Sequence, residues 1–227
     1  MTDSMNPSEL ADRNRKRKAL LAGGVVLGLG AVATLAAFTD DVFATGTFSS
    51  AKFSIQGSQA AAYPAASDAS FKDYPDPTGA PGTGHAALTF ASSMAPGDTV
   101  YAPFTIRTGP ESGAGTVTLA GAYFSTAGTL DPYLTYTVLN GGTTCAAGAS
   151  TTNGTSWATG TPGGTQSSPT APTGAPARDL LADSGDTQKF CIAVTLANSQ
   201  AAKDAINNAN PLTSTSITWD FRGTATT

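Results

Sequence analysis

Seven short runs of this chain alternate apolar and polar residues with a period of two, and that period decides the fold class. Residues 47–56 place Phe53 and Ile55 on one face, 87–92 offers Leu88 and Phe90, and 99–108 alternates Val100, Ala102, Phe104 and Ile106. The run 116–124 is weaker, with Val117, Leu119, Tyr123 and Phe124, and 133–140 carries Leu134, Tyr136 and Val138. Residues 187–197 alternate Phe190, Ile192, Val194 and Leu196, and 213–222 closes with Ile217, Trp219 and Phe221. Strands that are apolar on one face bury it by placing two sheets face to face. The pattern therefore predicts an all-β fold, an antiparallel two-sheet sandwich or jelly roll. Turn residues punctuate the runs at Ala95-Pro96-Gly97-Asp98, Thr108-Gly109-Pro110 and Asn140-Gly141-Gly142.

One helix interrupts the alternation. Ser199 is placed to cap a helix through Ala201, Ala202, Ala205 and Ile206, which Asn210-Pro211 would stop. It falls between the last two strands as a packed connection. Residues 57–86 and 148–178 show little periodicity; the second is almost entirely Thr, Gly, Pro, Ser and Ala, and both read as flexible insertions.

The N-terminus carries a different message. Arg13, Arg15, Lys16, Arg17 and Lys18 precede an uncharged stretch from Ala19 to Thr39, the form of a secretory signal with a basic end that stays inside. A stretch of this length can also remain as a membrane anchor. Its Gly- and Ala-rich character, and the small residues of Thr34-Leu35-Ala36, favour a cut between Ala36 and Ala37. The expected organisation is a signal helix over 1–36, an N-terminal segment over 37–47 and a β-sandwich domain over 48–227. Membrane contact is then confined to the signal segment before cleavage, with a signal peptidase as the partner during export.

Composition agrees with an exported protein. Only 12% of residues are charged, against about 25% for ordinary soluble domains, so Thr, Ser, Ala and Gly clothe the surface. The formal net charge is −4, and removal of the basic signal makes it more negative. An acidic chain is poorly suited to nucleic acid or anionic lipid as its main partner. Cys145 and Cys191 are the only two cysteines, and in an oxidising compartment they are expected to form a disulfide. For that loop the chain-entropy model gives about 4 kcal/mol.

Catalytic signals are lacking: the chain has no H-E-x-x-H, no G-x-S-x-G and no glycine-rich phosphate loop. The single histidine, His85, reads as an exposed loop residue. Asp68, Asp73 and Asp76, and again Asp179, Asp183 and Asp186, read as solvated turns and not as a calcium loop. Asn153-Gly154-Thr155 fits the glycosylation pattern within a tract so rich in Thr that chance explains it. No metal, cofactor or enzymatic activity is expected.

Two stretches carry a family resemblance. Residues 27–41, Leu-Gly-Leu-Gly-Ala-Val-Ala-Thr-Leu-Ala-Ala-Phe-Thr-Asp-Asp, then 44–55, Ala-Thr-Gly-Thr-Phe-Ser-Ser-Ala-Lys-Phe-Ser-Ile, are similar to the signal region of the TasA/camelysin family. There a cut by a SipW-class signal peptidase is followed by an aromatic, an Asp and a G-x-F-x-[SA]-G strand. The matching positions here are Ala37, Phe38, Asp40, Gly46, Phe48 and Ala51, with Ala51-Lys52 standing where the second glycine is usual. Met94-Ala-Pro-Gly-Asp-Thr-Val resembles the family's Pro-Gly-Asp turn, and Ser216-Ile-Thr-Trp-Asp-Phe-Arg-Gly-Thr resembles its last core strand.

The resemblance implies a secreted, biofilm-matrix or cell-surface structural subunit, assembled head-to-tail with itself or with related subunits. In such fibres the segment freed by cleavage inserts as a strand into a neighbour, satisfying its open sheet edge. The candidate donor is 37–47, with Phe38, Val42 and Phe43 as anchors, although Asp40 and Asp41 interrupt its alternation; a plain N-terminal tail is the other reading. Camelysin-type relatives are described as metalloendopeptidases, but one histidine cannot supply the usual nitrogen ligands of a catalytic zinc. A ligand- or surface-binding module, adhesin-like, with Tyr63, Tyr74 and Trp157 in its loops, stands as the alternative.

Overall fold

The computed structural model describes residues 12, 14–21, 52–90, 93–149, 151–208 and 215–226. The chain divides into two units, Met1–Ser49 and Ser50–Thr227. In the first, residues 14–21 form an exposed helix (α1). No helix among the described residues is long and apolar enough to cross a membrane. The cleavage positions Ala36 and Ala37 and the anchors Phe38, Val42 and Phe43 lie outside the described residues.

The second unit is an antiparallel sandwich. Its strands are β1 Ile55–Ser58, β2 Thr99–Thr108, β3 Gly115–Thr126, β4 Leu134–Gly141, β5 Gly154–Gly160, β6 Gly164–Thr165, β7 Ser168–Pro169, β8 Thr173–Gly174, β9 Arg178–Leu180, β10 Gln188–Leu196 and β11 Ser216–Ala225. One sheet has six strands in the order β1-β2-β10-β4-β5-β8; the facing sheet has three, β11-β3-β9; β6 and β7 form a separate hairpin. Every strand pair is antiparallel. The helix α2, Gln200–Asn208, joins β10 to β11. Its start is capped as the sequence predicts, the Ala202 amide donating to Ser199 Oγ at 3.1 Å, and buried Ala202 with half-buried Ile206 holds it on the core.

The core lies between the two sheets. The register aligns Phe104 with Phe190, Ala102 with Ile192 and Val100 with Val194, so these pairs share the inward face. Across from them Phe221 of β11 sits 5.4 Å from Phe104 and 5.2 Å from Phe190 by ring centroids. The long strands match the alternating runs to within a few residues. The run 47–56 yields only β1 among its described residues, because its partner β2 ends at Thr108, paired with Ile55, and the chain then turns at Gly109-Pro110. The run 87–92 forms no ladder over residues 87–90.

Both insertions read as flexible are built into the fold. Over 57–86, Phe71 is buried beneath the Arg107 guanidinium, 4.2 Å from ring centroid to Cζ. Arg107 also donates to Gln56 Oε1 at 2.9 Å and to the Ala66 carbonyl. Burial lowers the Arg107 pKa, partly offset by Asp68.

Over 148–178 the chain contributes β5, β6, β7 and β8. The β4–β5 register passes from Val138 opposite Ala158 to Leu139 opposite Ser156. This leaves Trp157 as the extra residue of a bulge, and Trp157 and Ala158 are consecutively buried at 3% and 1% exposure. A bulge breaks the period of two, which is why the pattern misses this strand.

Candidate functional site

The three-stranded sheet has one covered edge and one open edge. On the covered side, β3 pairs with β9 over Gly115–Val117. Further along, the Ala122 amide donates to the Thr170 carbonyl at 3.2 Å and the Gly163 amide donates to the Ala122 carbonyl at 2.9 Å. On the open side stands β11, ten residues long. It pairs with β3, and among the described residues no strand pairs with its outer edge.

A groove of about 1340 Å³ runs along that edge. Every residue from Thr215 to Gly223 lines it. Alternate side chains of a strand face opposite ways, so a void touching all of them follows the backbone edge. The far wall is the inward face of the six-stranded sheet, with Ile55, Val100, Phe104 and Ile106. Residues of segment 73–90, including Tyr74, His85, Leu88 and Phe90, also line the groove. At one end Gly223 approaches Phe53 and Ile55 so closely that an added Cβ would fall 2.7 Å from the Ile55 side chain.

Two buried polar atoms in the groove lining lack partners among the described residues: Trp219 Nε1 and His85 Nδ1. Trp219 is packed by Phe90 at 5.9 Å and edge-on by Tyr136 at 6.2 Å. Its indole N–H is thus dry but unbonded, a position that ordinarily attracts an acceptor. The residues of β11 that alternate with Ile217, Trp219 and Phe221 are polar, and two of them, Asp220 and Arg222, form an ion pair at 2.7 Å.

The residues singled out from sequence are not brought together. Trp157, expected in a binding loop, is core: its ring lies 4.7 Å from Phe190, and Nε1 donates to the Pro176 carbonyl at 2.8 Å. Tyr63 is on the other face of the six-stranded sheet, its ring 5.9 Å from Lys189 Nζ; only Tyr74 lines the groove. His85, read as exposed, is half-buried because the turn 80–85 folds it inward, the Gly82 amide donating to its carbonyl at 2.7 Å.

The carboxylates serve turns. Asp68 accepts from the Ser70 amide, Asp76 from Thr78, Asp183 from the Glu111 amide and Asp186 from the Leu181 amide. The hydrogen bonds from Ser70 and Thr78 hold the pKa values of Asp68 and Asp76 below the usual carboxylate range. Among the described residues no group of three His, Cys, Asp or Glu side chains is arranged to hold a metal ion. Asn153 is buried with its amide bonded to Ala146 on both sides, which closes it to a glycan in the folded chain.

Cys145 and Cys191 form a disulfide, with Cα atoms 5.2 Å apart. Cys191 alternates with inward Phe190 and Ile192, so the bridge fastens the 142–153 loop to the back of the six-stranded sheet.

Neither a protein-family model, nor a characterised protein, nor a solved structure matches this chain.

Proposed function

We propose that this protein is a secreted structural subunit of extracellular or cell-surface fibres, in which the open edge of β11 accepts a strand from a second copy. The observation that carries the reading is a ten-residue edge strand flanked along its length by an apolar groove. An unpaired strand edge offers a row of free N–H and C=O groups, and an added strand satisfies them while its alternate side chains fill the groove. The disulfide is compatible with an extracellular protein.

The occupant is residues 37–47 of the second copy. Those eleven residues reach about 36 Å when extended, against about 33 Å for β11. Phe38, Val42 and Phe43 supply apolar side chains for the groove. Donation within one copy is disfavoured by direction. The folded unit begins near the groove end where Gly223 meets Phe53. The four residues 48–51 span about 14 Å at most, so they cannot carry the segment to the far end of β11. A donor from the same copy would have to run parallel to β11, whereas a second copy's can enter antiparallel, like every other ladder here. Such head-to-tail contacts propagate into filaments and do not close a ring.

The test is to incubate residues 37–227, disulfide intact, at high concentration and image them by negative-stain electron microscopy. Filaments that vanish when residues 37–47 are removed support the reading. Persistent monomers from the complete 37–227 chain overturn it, and direct attention to ligand binding on the loops.

A further inference from the structure

Residues 86–90 behave as a strand without a ladder. Ala86, Leu88 and Phe90 are half-buried, whereas Ala87 and Thr89 are exposed, the alternation of a strand with one face on a core. Leu88 and Phe90 pack on the core cluster. Yet among the described residues none of the five makes a backbone hydrogen bond. Partly buried backbone with no partner is uncommon, because each missing hydrogen bond costs stability. This segment and β11 border the same groove, with the Phe90 ring 5.9 Å from that of Trp219. Two strand edges without a partner among the described residues therefore adjoin one void.

Two of the six buried side-chain atoms that lack a partner among the described residues fall in the same place. Trp219 Nε1 belongs to β11, and His85 Nδ1 immediately precedes the unpaired segment. A strand lying in the groove would bring main-chain carbonyls and amides within reach of both.

We infer that the groove is a two-edged slot: the incoming strand pairs on one side with β11 and on the other with residues 86–90, which become the next strand of the sheet. This rests on the strand-accepting reading above and adds the second edge. The three-stranded sheet would gain two strands, the donor and 86–90. The sequence pattern of 87–92, which reads as a strand, then has its explanation in the assembled state.

Hydrogen exchange read by mass spectrometry tests this on chain 48–227, which contains the whole core and the disulfide, with and without a saturating synthetic peptide of residues 37–47. The expected result is that amides of both 216–223 and 86–90 exchange at least tenfold more slowly with peptide, while 188–196 is unchanged. Slowing at 216–223 with none at 86–90 overturns the second edge and leaves strand acceptance by β11 standing. Slowing at neither overturns both.

Discussion

The two tryptophans of this chain both pack against the core, Trp157 beside Phe190 and Phe221 and Trp219 beside Tyr136 and Phe90, and have been treated differently. Trp157 belongs to β5, which is paired on both edges, with β4 and with β8. Its ring lies 4.7 Å from that of Phe190, tilted against it, and 6.3 Å from Phe221, nearly parallel to it. Its N–H is bonded to Pro176, and Trp157 itself is 3% exposed. Trp219 is on the open side, half-buried, with a dry N–H that bonds to nothing among the described residues. An indole needs the same things in both places, apolar cover and one acceptor. Trp157 meets both needs within the chain, whereas Trp219 has no acceptor among the described residues. On the proposed reading, the enclosed surroundings of Trp157 serve stability and those of Trp219 serve association.

The largest effect should come from the enclosed ring. Trp157→Ala removes a fully enclosed ring and a satisfied hydrogen bond, and should cost about 3–5 kcal/mol in chemical denaturation of the monomer. Trp219→Ala should cost about half as much or less, because the ring is only partly buried. Equal losses would break the comparison, since both rings would then be core. Removing the disulfide with Cys145→Ser and Cys191→Ser together should cost about 4 kcal/mol by the chain-entropy model. Strand acceptance should survive at temperatures where the variant remains folded, because the bridge lies on the back of the six-stranded sheet.

A third prediction separates the two rings spectroscopically. In Trp157→Phe the only indole left is Trp219. Its emission should shift to the blue when peptide 37–47 is added, as the incoming strand covers it. In Trp219→Phe the remaining indole is already enclosed and should not shift. A shift from both, or from neither, would sever the groove from strand binding.

The long strands and α2 could be read from the sequence because they obey one rule apiece: alternation over Thr99–Thr108 and Gln188–Leu196, and a Ser cap before an Ala-rich turn at Ser199. β5 could not, because a bulge at Trp157 turns two successive residues inward and the rest of Gly154–Gly160 is Thr, Ser, Gly and Ala. Segment 57–86 hid its order in a long-range bond set, Arg107 to Gln56, Ala66 and Phe71, that no local pattern announces. The groove was legible only as a contradiction. Residues 87–92 have a strand's pattern, and over 87–90 the folded chain gives them no ladder. The pairing of β11 on one side alone is a matter of strand order, which alternation does not encode.

The smallest effect is electrostatic and uses Tyr136, which reaches from β4 toward Trp219. Burial pushes its phenol up to about 12 from the ordinary 10.0, and does the same to Tyr63 on the opposite face of the sheet. Between these values the unfolded chain has released both protons and the folded chain holds them, so stability is complete below pH 10 and falls as pH rises toward 12. Both hydroxyls are buried without partners among the described residues. Tyr136→Phe should therefore leave stability at neutral pH unchanged or slightly higher and reduce the alkaline loss. In the parent chain, phenolate absorbance should show Tyr63 and Tyr136 ionising late, with burial raising Tyr74 as well; Tyr63→Phe combined with Tyr74→Phe leaves Tyr136 as the remaining one. With the groove filled by peptide 37–47, that remaining ionisation should move still higher, because the strand dries the Trp219 side on which Tyr136 rests. An ionisation that ignores the peptide would place Tyr136 with the enclosed surroundings of Trp157, and the boundary between the two surroundings would then run between its ring and that of Trp219.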